Sequence, residues 1–166
     1  MPSRTPAPKP GKPRDPNAPP KPKRPRDDLG RPLALEAENT LQLEDYDSLS
    51  LEENHRLGLR AFDAQRFFPA HEAWETCWKQ AKGTGDAEFF KGLSQLGAGY
   101  VHLLRGNSHG AYTLLRRGAG RILSYPSPHH DVDVEALGRA ALSHAEYIEQ
   151  AEKAGLAIPS VEFPRI

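Results

Sequence analysis

The sequence predicts an all-α protein, a compact bundle of about five helices behind a disordered, basic, Pro-rich N-terminal arm. Three observations carry that reading. Ala and Leu together number 39 against 13 for Val, Ile and Thr, and unbranched side chains lose little rotamer freedom in a helix. Phe89, Leu93, Leu96, Tyr100 and Leu103 recur at spacings of four and three, the period of one helix face. Charge and proline are also segregated. The first 32 residues hold 11 of the 16 prolines, with nine basic and three acidic residues, a net +6. The other 134 carry 13 basic and 19 acidic residues, a net −6.

Taken in order, residues 1–47 are expected to be a disordered arm followed by an acidic transition (Glu36, Glu38, Glu44, Asp45, Asp47). They offer little to bury, and proline removes backbone donors. A helical domain is expected over 48–157. Ser50-Leu51-Glu52-Glu53 fits a capping box, starting a helix over about 51–65. Phe67-Phe68 form a tight corner, and Pro69 suits the first position of a second helix over about 69–82. A third helix, about 86–105, carries two apolar stripes and reads as central. Gly106-Asn107 stops it and caps a fourth, about 108–124. The triplets Gly97-Ala98-Gly99 and Gly118-Ala119-Gly120 suggest close backbone approach between these two helices. Asp131 or Asp133 caps a fifth, ending near 154, and residues 158–166 form a tail.

Composition excludes several classes. Cys77 is the single cysteine, so no internal disulfide forms. The N-terminus lacks the apolar core of a secretion signal, and no run of 18 apolar residues suggests a membrane span. A cytoplasmic protein is the expectation.

The second helix carries the unusual chemistry. At about 100° per residue, His71, Trp74, Glu75 and Trp78 share one arc. If the tryptophans are buried there, Glu75 is expected to be buried too, and a buried carboxylate must be paired, protonated or bound to a cation. Three readings compete: a structural hydrogen-bond network, a metal site, and general acid/base chemistry. The candidate polar site is His71, Glu72, Glu75, Trp78, Gln95 and His102. Gln95 and His102 stand on a polar stripe of the third helix. A metal set would be His71, Glu75 and His102, two imidazoles and a carboxylate with open positions. Arg116, Arg117 and Arg121 could instead neutralise Glu75 or Glu72. The peptidase pattern His-Glu-x-x-His is absent. His55 and His144 stand alone, His109 lies in a first turn, and His129-His130 reads as a solvated loop pair. Cys77 reads as core.

Phe67-Phe68-x-Ala70-His71-Glu72-x-Trp74-Glu75-x-x-Trp78 resembles the signature of a prokaryotic family, domain of unknown function 309. Lys91-Gly92-Leu93-Ser94-Gln95-Leu96, the turn Arg105-Gly106-Asn107 with Gly110-Ala111, and Asp133-Val134-Glu135-Ala136-Leu137 are similar to further segments of it. The resemblance spans roughly 61–142. It implies a compact all-helical cytosolic bacterial protein, with His71, Glu75 and Trp78 in a pattern suggested as a metal site. Departures are Ser94 where an apolar residue is usual, Gly97 for alanine, Gln65 for a frequent glycine and Pro69 for an acid.

The arm suggests weak, salt-sensitive contact with nucleic acid or another polyanion, or a merely solubilising extension. No membrane partner is expected, and an oligomer is compatible with the sequence. The expected function is a non-catalytic helical binding module with a buried polar His/Glu site that could hold a divalent metal ion as cofactor. The alternative is a metal-dependent, hydrolase-like enzyme using His71 and Glu75.

Overall fold

The computed structural model describes residues 24–166; the first 23 residues of the expected arm lie outside them. A short 3-10 turn, Tyr46–Ser48, precedes five helices: α1 (Leu51–Asp63), α2 (Phe67–Gln80), α3 (Ala87–Leu104), α4 (Ser108–Ile122) and α5 (Val134–Lys153). Among the described residues, β-pairing is limited to two isolated bridges, Arg26 with Pro32 and His129 with Val132. Consecutive helices pack on one another, so α3 lies between α2 and α4.

The predicted caps form. Ser50 Oγ accepts from the Glu53 amide at 3.2 Å, and Glu53 returns a carboxylate oxygen to the Ser50 amide at 2.8 Å. Asn107 and Asp133 accept from the amides of Gly110 and Ala136. Each satisfies an amide that has no partner within its helix.

α1 ends two residues earlier than expected, because Gln65 takes a left-handed conformation at φ +58°. The Arg66 amide bonds the Ala61 carbonyl and the Gln65 amide the Phe62 carbonyl, a Schellman closure with glutamine where glycine is favoured. The turn delivers the chain into α2 at Phe67, earlier than Pro69. Pro69 stands at the third helical position, where no intrahelical N–H bond is lost.

The core is aromatic at its centre. Phe62, Trp74, Leu93, Leu96, Tyr100, Leu115 and Ile122 are buried, whereas Trp78 is only half-buried. Phe67 and Tyr100 also receive Phe163 from the C-terminal segment, at ring-centre distances of 4.9 and 5.6 Å. The close α3–α4 approach is real, but it pairs Gly92 with Gly118. A Cβ on Gly118 would stand 2.7 Å from the Gly92 carbonyl oxygen. Gly97 faces α2 instead, where a Cβ would lie 3.1 Å from the backbone nitrogen of His71.

Residues 24–45 hold no helix but lie against the bundle. Arg105 donates to the Leu29 carbonyl, Gly30 lies against the Phe68 ring, and Leu41 is buried.

Candidate functional site

Three residues of α2 converge. The Nε2 of His71 lies 3.4 Å from a Glu75 carboxylate oxygen and 4.0 Å from one of Glu72. The pair at 71 and 75 follows from one helical turn, which stacks residues four apart on the same face. The other face of the imidazole is held by α3. Nδ1 lies 3.0 Å from the Ser94 carbonyl oxygen and 2.8 Å from Ser94 Oγ, whose hydroxyl is also 3.2 Å from the His71 carbonyl. Gly97 admits this contact by letting the two backbones approach.

The arrangement departs from expectation in four ways. Glu75 is not buried; a third of its side chain is exposed, at 33%. Its partner from outside the histidine is Lys79, 3.1 Å away and one turn along α2, and none of the α4 arginines. Gln95 accepts from Arg121 Nε at 3.0 Å, and Arg116 pairs with Glu149. His102 stands outside the ligand-distance group of His71, Glu72 and Glu75. Its Nδ1 accepts from the Asn107 amide side chain at 3.0 Å. Burial, with the nearby charges of Arg105 and His71, lowers the pKa of His102, so it stays neutral near pH 7.

Trp78 flanks the site without joining it. The ammonium groups of Lys82 and Lys91 each lie over its ring, 5.2 and 5.1 Å from the centre, where the π-face attracts cations.

Several polar residues are tied more firmly than the sequence suggests. His55 is buried, accepts from Trp74 Nε1 at 3.0 Å through Nδ1, and reaches the His130 carbonyl at 2.7 Å through Nε2. The tryptophan N–H fixes the tautomer, so Nε2 is the donor. Burial lowers the pKa of His55 and keeps it neutral. Tyr100 bonds His144 Nδ1 at 2.8 Å. His129 and His130 are not a solvated pair: each places Nε2 on one oxygen of Asp86, at 2.8 and 2.9 Å. The bond from His130, with that from His129, holds the Asp86 carboxyl below its usual range despite partial burial.

Residues 55–114 match the family described as Domain of unknown function (DUF309). The DUF309 match contains His71, Glu72, Glu75, Trp78, Ser94, Gln95 and His102, and stops before His129. No curated protein and no solved structure matches the chain. Among the described residues, no helix is long and apolar enough to cross a membrane.

Proposed function

We propose that the DUF309 segment works as a helical binding module that takes a divalent cation on His71, Glu72 and Glu75. The orientation of His71 carries the reading. With Nδ1–H given to the Ser94 carbonyl, a neutral imidazole presents a bare Nε2, the arrangement by which a backbone carbonyl orients a metal-ligating histidine. That nitrogen faces two carboxylates. Ligands about 2.1 Å from a tetrahedral ion stand about 3.4 Å from each other, the spacing already present between His71 Nε2 and Glu75. Glu72, at 4.0 Å, needs a side-chain rotation only.

Lys79 holds Glu75 in the absence of a cation. It is an exposed lysine, with 56% of its side chain accessible, and such a pair contributes little and is readily displaced.

A binding module is favoured over a hydrolase that takes its nucleophile from a side-chain hydroxyl at this site. The hydroxyl that touches His71 belongs to Ser94, which is 5% exposed and sits behind the ring. It positions the imidazole and is not presented to a substrate.

Tag-free protein titrated calorimetrically with Mn2+ and Zn2+ tests the reading. His71→Ala and Glu75→Gln should each abolish one binding event while the melting temperature stays near that of the parent. An unchanged isotherm in both variants would overturn it.

A further inference from the structure

A second set of donors shares no residue with the first and lies mostly beyond the DUF309 match. Asp86 occupies the N-cap position of α3, yet its side chain makes no capping bond. It turns toward the loop before α5, one oxygen 2.8 Å from His129 Nε2 and the other 2.9 Å from His130 Nε2. Adjacent residues normally point apart. Here His130 and Asp131 are both left-handed, at φ +44° and +61°, and His129 and Val132 exchange backbone bonds at 3.0 and 2.9 Å. This tight turn brings both rings to one carboxylate.

The rings are braced from behind. Phe89 stacks on His130, 5.6 Å between centres and 29° between planes, and meets His129 edge-on at 4.7 Å. The His130 carbonyl receives the Nε2–H of buried His55, whose other nitrogen is held by Trp74. The three side chains keep 23, 33 and 37% of their surface, so the set opens to solvent on one side. Left-handed non-glycine residues cost of order 1 kcal/mol each and persist where surroundings over-determine them. The chain holds two in succession at this turn.

The geometry points to a zinc-class transition-metal site formed by Asp86, His129 and His130, which would tie the loop before α5 to the head of α3. The three ligand atoms already lie within 4.8 Å of one another. A tetrahedral ion at about 2.1 Å from each requires spacings of about 3.4 Å. If Asp86 gives the ion the oxygen that now meets His129 at 2.8 Å, that spacing needs to open by only about half an ångström, and the other spacings lie within the same 4.8 Å. Two imidazoles and one carboxylate select zinc and its first-row neighbours over calcium or magnesium, which prefer oxygen cages. On binding, each Nε2 proton now given to Asp86 moves to Nδ1 of the same ring or leaves to solvent, freeing the lone pair. A fourth position remains for water.

The test uses full-length, tag-free protein carrying His71→Ala, so that the α2 set is silent and failure of either site is read separately. Addition of Co2+ should produce the visible bands of a low-coordinate ion at one equivalent, and Zn2+ should displace it and raise the melting temperature. Adding Asp86→Asn or His130→Asn should weaken binding by more than about 100-fold, beyond the loss typical of outer-shell partners. Should those variants fold poorly, ring 15N spectra of the His71→Ala protein give the same answer. With Zn2+, Nε2 of His129 and His130 should move to metal-bound shifts while His55 and His144 stay put. The site is overturned if His71→Ala protein takes up no Co2+ or Zn2+, if the second substitutions leave uptake unchanged, or if the His129 and His130 nitrogens do not respond. Asp86 with its histidines would then be a hydrogen-bonded clip and no more.

Discussion

Ser94 on α3 grips the imidazole of His71 on α2 from behind, its carbonyl oxygen 3.0 Å and its Oγ 2.8 Å from Nδ1. The contact leaves Nε2 as the nitrogen that meets Glu75. Ser94→Ala removes the hydroxyl and keeps the carbonyl. Cation affinity at His71 should fall about tenfold, the lower end of the cost of losing an outer-shell partner. Calorimetric titration checks this, and affinity equal to the parent's would show that the carbonyl alone orients the ring.

The sequence made the helices legible, because caps are local codes. Ser50 with Glu53, Asn107 and Asp133 each sit a fixed distance from the amide they bond. Glu75 is a third exposed rather than buried for a geometric reason. At about 100° per residue the arc runs from fully buried Trp74, past half-buried Trp78 and His71, to Glu75, so Glu75 stands at its solvent edge. That Ser94 is the α3 residue that meets His71 depends on how α3 slides along α2. That register is set by Gly97 lying against the His71 backbone, a contact between distant residues with no local signal. Ser94, a polar residue where the family pattern has an apolar one, is the contact itself. The His129-His130 turn was illegible because its left-handed residues are His130 and Asp131, with no glycine to announce it.

Gln65 closes the α1 C-terminus in a left-handed conformation at φ +58°, which costs a non-glycine residue about 1–2 kcal/mol. Part of that is recovered by the lower backbone entropy of glutamine in the unfolded chain. Gln65→Gly should therefore stabilise by about 0.5–1 kcal/mol. Chemical denaturation with an unchanged m-value is the check, and a destabilised variant would mean that the Gln65 side chain makes a compensating contact in solution.

Gly118 lets α4 approach α3 so closely that a methyl group there would meet the Gly92 carbonyl at 2.7 Å and the Leu96 side chain at 2.9 Å. Alanine gains about 1 kcal/mol of helix propensity over glycine, but overpacking against rigid backbone costs about 1–3 kcal/mol. The clash should win, and Gly118→Ala should lower the melting temperature. Gly120, with nothing within 4 Å of its Cβ position, is the control: Gly120→Ala should raise it.

Cys77 is fully buried, and burial pushes its thiol up to about 12. Thiolate is the reactive form, so native protein at pH 8 should resist alkylating reagents. Labelling should follow the opening of α2 from the core and speed up with denaturant. Rapid labelling without denaturant, followed by mass spectrometry, would contradict the packing of Cys77 against α1 at the Leu51 carbonyl.

His144 links α5 to the core through Tyr100, whose hydroxyl lies 2.8 Å from Nδ1. Burial raises the pKa of Tyr100, so the phenol keeps its proton and can donate it to Nδ1. Burial also lowers the pKa of His144. The sign follows from linkage: with its folded pKa below the unfolded value of about 6.5, His144 favours the folded state fully above that pH. The unfolded chain takes the proton first as pH falls, and the contribution is lost on descending through the folded pKa. Protonation also turns Nδ1 into a donor, so the bond then requires the Tyr100 hydroxyl to turn and accept. Stability should therefore drop between pH 7 and pH 5, and His144→Gln, which cannot titrate, should show a shallower drop. Melting temperatures of both proteins across that range decide the matter. Parallel curves would place the acid sensitivity on other groups, with His55 and His102, both lowered mainly by burial, the next to substitute.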